Sequence, residues 1–262
     1  MYIIPFLILI IIIVSVVSTI RNRKAKLPPA MPVGFKDILI SEVSFYQNLE
    51  ENDKVKFEER AALFLSKVRI TGVRTVVEDI DKVLIAASAI IPIFNFSDWE
   101  YRNLNEVLLY PDSFDHDFEQ EGEGRNILGM VGSGALNHVM ILSQSELRQA
   151  FLNKTAKDNT AIHEFVHLLD KTDGEIDGMP ETLLDKQYII PWLKLMQNEI
   201  QEIKNNDSDI NPYGASNEAE FLAVVSTYFF ERPSLFQEKH PELYAMLLKM
   251  YGTPQLVDKD IY

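Results

Sequence analysis

His163-Glu164-Phe165-Val166-His167 is the densest piece of chemistry in this 262-residue chain. Residues four apart on a helix share one face, so the two imidazoles of an H-E-x-x-H segment can reach a single metal ion. The glutamate, one position along from the first histidine, can hydrogen-bond a metal-bound water without filling the metal site. Ala161, Ile162, Phe165, Val166, Leu168 and Leu169 make this helix apolar nearly all round. Polar groups on such a helix need a purpose, because burying them unpaired costs several kcal/mol. With five histidines in the chain, an accidental H-E-x-x-H is expected on the order of once per hundred such sequences. The spacing predicts a zinc centre at His163 and His167, with Glu164 as the proton acceptor.

Two imidazoles leave such a centre incomplete, since catalytic zinc usually takes three protein ligands and a water. The chain has no cysteine. That excludes thiolate ligands, disulfides, iron–sulfur clusters and cysteine nucleophiles. Among the other histidines, His138 lies in a strand candidate, His116 in an acidic loop and His240 in an expected surface turn before Pro241. The third ligand is therefore expected to be a carboxylate on a later helix, from Glu175, Glu181, Glu199, Glu202, Glu218, Glu220 and Glu231. Glu199 and Glu202 lie on a charge-rich helix end and read as solvated. Glu218 and Glu220 open an apolar helix. A helical wheel puts Glu218 nearer the arc of Phe221, Leu222, Val225 and Phe229, whereas Glu220 falls at N3 after Asn217 and can serve as a cap. Spacing alone leaves the choice open. Asp170 can orient a ligand histidine from behind or sit as a surface carboxylate at the helix end.

The elements that must hold these groups read as a mixed half followed by a helical half, which predicts an α+β fold with a small mixed sheet. Helices are expected over 37–49, 54–67, 79–91, 145–151 with Ser145 as N-cap, 159–170, 181–204, 217–231 and 234–250. Strand candidates are 68–71, 75–77, 106–110, 127–131 and 138–142. The strand around 139–142 is expected to pair with an extended substrate.

Ahead of this domain, residues 1–20 carry no charge and are dominated by Ile, Val, Leu and Phe. About 20 apolar residues span the hydrocarbon core of a bilayer, which predicts a transmembrane helix. A signal peptide would place its positive charges before the apolar run and a small-residue cleavage site after it. Here Arg21, Arg23, Lys24 and Lys26 follow the run. By the positive-inside rule they hold the remainder in the cytoplasm. The expected organisation is a transmembrane helix over 1–20, a basic and proline-rich juxtamembrane linker over 21–36, and a zinc metallopeptidase domain over 37–262. The chain carries 25 Lys+Arg against 39 Asp+Glu, a net charge of −14, which excludes a general nucleic-acid binder.

Several stretches together resemble the Mlc titration factor A family of zinc peptidases. They are Asn159 to Asp170 with Asp173-Gly174 and Asp177-Gly178-Met179-Pro180, the block from Asn211 to Phe230, and Val83-Leu84-Ile85-Ala86-Ala87 followed by Val107-Leu108-Leu109-Tyr110-Pro111. The similarity runs over about residues 37–252. The extended H-E-F-x-H-x-L-D with its D-G is the specific part. The resemblance implies a gluzincin-like, zincin-type fold related to the anthrax lethal factor catalytic domain. It implies zinc held by His163, His167 and Glu220, with Glu164 catalytic and Tyr213 at the position of the family's active-site tyrosine. It also implies aminopeptidase-type activity and, for the enterobacterial member, binding to a glucose-responsive repressor. In two respects the chain departs from the family. The N-terminal apolar helix is absent from the typical soluble form, and Thr227 stands where the family often has Glu.

The function expected from the sequence is a single-pass inner-membrane peptidase whose catalytic domain faces the cytoplasm and hydrolyses peptides or proteins with zinc. The alternative is a non-catalytic or weakly catalytic module that sequesters a transcriptional regulator at the membrane. The intact Glu164 favours hydrolysis, because a structural zinc site needs no general base.

Overall fold

The computed structural model describes residues 31–96, 99–120 and 124–252. The expected membrane helix over 1–20 and most of the linker lie outside them. Among the described residues no helix is long and apolar enough to cross a membrane.

Four short strands form one mixed sheet. β1 (Arg69–Gly72), β2 (Glu106–Tyr110) and β4 (Val139–Ser143) are mutually parallel, while β3 (Gly129–Val131) runs antiparallel to β4, in the order β1-β2-β4-β3. Val107, Leu109, Met140, Ile141 and Leu142 are buried, as the apolar runs of interior strands require. The expected strand at 75–77 does not form. Thr75 and Val76 are held instead by the side chain of Gln144, which accepts from the Thr75 hydroxyl at 2.7 Å and donates to the Val76 carbonyl at 2.9 Å. Ile127 does not extend β3 but makes one antiparallel bridge to Phe114.

Ten helices are described: α1 (Phe35–Glu42), α2 (Ser44–Gln47), α3 (Glu51–Lys67), α4 (Asp79–Ile90), α5 (Gln144–Leu152), α6 (Thr160–Asp170), α7 (Lys186–Lys204), α8 (Glu218–Glu231), α9 (Pro233–Lys239) and α10 (Pro241–Tyr251). The helix expected over 37–49 breaks at Val43, which is extended. The one expected over 234–250 breaks at His240, because a residue before proline is driven out of the helical region. The one expected from 181 starts only at Lys186. The cap of α5 is Ser143, whose hydroxyl accepts from the Glu146 N–H at 3.3 Å. Ser145 instead donates to the Asp112 carboxylate at 2.9 Å.

Helix α6, which bears the H-E-x-x-H segment, and helix α8, which bears Glu218 and Glu220, are tied together at both ends. At the start of α6, the Asn159 side chain caps the helix by accepting from the Ile162 N–H at 3.2 Å. It also donates to Glu231, at the end of α8, at 2.9 Å. At the other end of α6, Asp170 accepts from the Gly178 N–H at 2.8 Å. Gly178 in turn lies so close to the start of α8 that a Cβ would sit 2.3 Å from the Glu218 carbonyl oxygen. Its φ of +75° also favours glycine. The two helices therefore run antiparallel. Phe165 wedges α6 into the core, with its ring 5.7 Å from Phe64 and 5.1 Å from Tyr101. Burying such a ring contributes roughly 2–3 kcal/mol.

Candidate metal centre

On α6 the imidazoles of His163 and His167 point the same way, their Nε2 atoms 3.1 Å apart. From the first turn of α8, Glu220 brings a carboxylate oxygen to 2.9 Å from His163 Nε2 and 3.3 Å from His167 Nε2. Among the described residues these three offer donor atoms that all lie within 4.8 Å of one another. Tetrahedral zinc with bonds of 2.0–2.1 Å separates its donors by about 3.4 Å. The observed spacing and the nitrogen, nitrogen, oxygen donor set fit such an ion. Glu218 is exposed, as are Glu175, Glu181 and Glu202, and none of them joins the three converging donors. Glu231 is engaged with Asn159. The carboxylate that the helical wheel places nearer the apolar arc is thus not the one that reaches the histidines. Asn217, the N-cap, accepts from the Glu220 N–H at 2.9 Å. The capping thus falls to Asn217, and the Glu220 side chain is left free to turn toward α6.

Glu164 is buried beside this group. Burial pushes its carboxyl up, against the opposing pull of His163 and His167, and the Val131 N–H bonds to it. Burial also works to raise Glu220, yet hydrogen bonds from His163 and His167 hold it well below the usual carboxylate range. For His167 burial opposes protonation, but the bond to Glu220 and the charges of Glu164, Glu220 and Asp170 raise it overall. Tyr213 sits on a single 3₁₀ turn, Pro212–Ala215, whose Asn211 cap accepts from the Tyr213 N–H at 3.0 Å. Its ring lies 6.0 Å from that of His163, the residue is 54% exposed, and its hydroxyl is hydrogen-bonded to Glu220. Burial and the neighbouring Glu220 and Glu164 raise its pKa. His163, Glu164, His167, Tyr213 and Glu220 all line one cleft of about 940 Å³.

Strand β3 forms part of the cleft wall. Its bonds to β4 are made by the neighbours of Gly129 and Val131: Ser143 N–H to Leu128 C=O at 2.9 Å and Gly132 N–H to Val139 C=O at 2.8 Å. In an antiparallel ladder the alternate residues, Gly129 and Val131, then point their backbone groups away from β4. Of the two edges of the sheet, β1 and β3, the one on the cleft is therefore β3, and β4, expected to pair with substrate, is covered on both sides. Gly129 has a second task. A Cβ there would lie 2.8 Å from Glu164 Cγ and 2.8 Å from Thr160 Cγ2, so the strand can approach α6 only with glycine. A glycine inside a short strand candidate is the sequence signal for such close approach. Thr227 is buried in the same cleft, its hydroxyl donating to the Ala223 carbonyl of its own helix at 2.7 Å. His116 lines the same cleft, but among the described residues neither it nor His138 joins the three converging donors.

The chain is similar to known proteins over most of its length. The chain is 28% identical to the uncharacterized protein slr2042 of Synechocystis over 248 residues, 87% of this chain and 86% of that protein. It is 27% identical to Mlc titration factor A of Pectobacterium atrosepticum, with 78% of this chain and 80% of the relative aligned. To the Escherichia coli protein of that name it is 26% identical, again with 78% and 80% aligned. The signature of the glucose-regulated metallo-peptidase M90 family matches residues 17–252, most of the chain including α6 and α8, and the protein belongs to that family.

Proposed function

We propose that this protein is a zinc-dependent, aminopeptidase-like peptidase of zincin-like fold, anchored in the inner membrane by residues 1–20, with residues 21–36 as linker and the catalytic domain over 37–262 in the cytoplasm. The observation that carries the peptidase reading is the convergence of His163 Nε2, His167 Nε2 and Glu220 Oε2 beside the buried Glu164. The anchor and its orientation rest on the uncharged run and the four basic residues after it.

His163, His167 and Glu220 would hold the ion. Zinc bound there supplies Lewis acidity to the scissile carbonyl and lowers the pKa of water from 15.7 toward about 7. Glu164 takes a proton from the attacking water and returns it to the leaving amine, a transfer favoured by the raised proton affinity of its buried carboxyl. The Val131 N–H fixes the direction in which that carboxylate faces. Tyr213 stays protonated at neutral pH and donates a hydrogen bond to the oxyanion. The Gly129 N–H and the carbonyls of Gly129 and Val131 offer an extended peptide the free edge of a sheet.

The relatives' name, Mlc titration factor A, favours a second reading in which the chain binds a transcriptional regulator of that kind. Glu164→Gln separates the two. Under the peptidase reading the variant keeps its zinc and fold and loses peptide hydrolysis by roughly 10²–10⁴-fold. Equal turnover of any peptide by the variant and the parent removes Glu164 from the mechanism, and no peptide turnover by the zinc-loaded parent leaves binding as the function.

A further inference from the structure

Besides His116, His163 and His167, the charged residues that line the cleft are all acidic: Glu146, Asp158, Glu164 and Glu220, with no lysine or arginine among the described residues. Glu164 and Glu220 belong to the reaction centre, and Asp158 accepts from the Asn211 amide at 3.2 Å. Glu146 is different. It stands in the first turn of α5, partly buried, and among the described residues no cation or hydrogen-bond donor meets its carboxylate. The neighbouring cations are committed elsewhere. Arg148 grips Asp81 at 2.7 Å and Glu78 at 3.0 Å. Lys154 donates to the Glu42 carbonyl, and Lys157 pairs with Asp209 at 2.5 Å.

The position of Glu146 follows from the sheet. Ser143, three residues before it, bonds Leu128, and Leu128 precedes Gly129, which abuts Glu164. A peptide laid along β3 advances about 3.3 Å per residue. A side chain one to three residues from the scissile bond therefore reaches the Glu146 end of the cleft. A carboxylate there with no partner of its own is desolvated by an apolar or acidic substrate and matched by a cationic one.

We infer that Glu146 is a specificity-determining residue that selects peptides carrying a positive charge, an ammonium or guanidinium, within about three residues of the cut bond, and that acidic peptides are disfavoured. This rests on the peptidase reading above. The charge can come from a Lys or Arg side chain or from the free α-amine of a short substrate, and both present the same chemistry to the carboxylate.

The test uses the purified, zinc-loaded full chain and matched peptides that are neutral and N-acetylated, neutral with a free amine, or N-acetylated with one Lys moved along the sequence. The parent protein is expected to cut the best cationic peptide with kcat/KM roughly five- to tenfold above the acetylated neutral one, mostly through KM. Which series gains identifies the side chain or the α-amine as the source. In Glu146→Gln the ratio falls to about one, and in Glu146→Lys it inverts toward Asp-containing peptides. In Glu59→Gln, an exposed change on α3 that alters net charge equally, the ratio stays. A parent ratio of one, or a preference that survives in Glu146→Gln, overturns the inference. Binding of the same peptides to Glu164→Gln, with and without Glu146→Gln, is read in parallel by fluorescence anisotropy. Cationic preference in binding without any cleavage upholds the role of Glu146 and rejects the peptidase reading. Cleavage without preference does the reverse.

Discussion

Two clusters of histidine and carboxylate lie in this molecule, and they are built to opposite ends. At the candidate metal centre two imidazoles and one carboxylate turn their lone pairs toward one point on a cleft wall, with no lysine or arginine among the cleft residues to neutralise them. In the second cluster a single buried imidazole, His240, stands between Asp209 at 2.7 Å and Glu199 at 3.5 Å. Lys157 and the Tyr228 hydroxyl complete the coordination of Asp209. Here the charges are already matched inside the protein, so the cluster fastens α7, α10 and the 205–217 segment and has nothing to offer an ion. The difference teaches that histidine–carboxylate proximity marks a metal site only where donors outnumber their internal partners.

The sharpest way to break this contrast is to remove one member from each cluster and measure zinc. His163→Ala and Glu220→Ala are expected to abolish tight zinc binding and all peptide hydrolysis, while His240→Ala and Glu218→Ala keep about one equivalent. Metal analysis of the four purified variants decides it, and loss of zinc in Glu218→Ala would move the ligand to that residue. Next in size is Gly129→Ala. The added methyl collides with Glu164 and Thr160, so activity should drop by about 10²-fold while zinc content holds, since a misplaced reacting group costs on that scale. Tyr213→Phe removes one oxyanion donor from an exposed position and is expected to lower kcat about tenfold, with KM nearly unchanged.

The smallest effect belongs to the second cluster and is one of stability. Burial opposes the charge on His240, but bonds to Glu199 and Asp209 raise its pKa overall. That stabilisation is complete below the unfolded value near 6.5 and is lost as pH rises through the folded one. Burial likewise opposes the charge on Asp209, yet Lys157, His240 and Tyr228 hold it at about 2, so its contribution is present above about 4 and fades toward pH 2. The cluster is therefore strongest between about pH 4 and 6.5. His240→Gln should lower stability by on the order of 1 kcal/mol at pH 5.5 and by less at pH 9, measured by urea unfolding at both.

The first cluster was half legible in the sequence and the second hardly at all, for physical reasons. Helix α6 announces itself locally: Asn159 caps it, its apolar residues surround it, and the i, i+4 histidines need nothing beyond helix geometry to share a face. Glu220 was not readable from spacing, because its selection over Glu218 depends on how α8 is laid against α6, and that is fixed by the distant ties at Asn159–Glu231 and Asp170–Gly178. The expected pairing of 139–142 with substrate fails for a similar reason, since β4 lies between β2 and β3. Pairing order is a property of strands far apart in the chain, and an apolar run such as 139–142 reads the same whether it lies inside a sheet or at its rim. Pro241 does break the helix at His240, but the residue is buried and not in the surface turn expected of it, because a turn signal says nothing about what folds over it. Glu199 and Asp209 arrive from other segments and bury it.

The donors of the candidate centre are separated by 57 residues of chain between His163 and Glu220. An ion joining them would act as a rivet, closing a long loop whose freedom in the unfolded chain is the larger for its length. The quantity of intact protein in a cell would then track the metal available to it, so that scarcity silences the molecule by unfastening it before any substrate arrives.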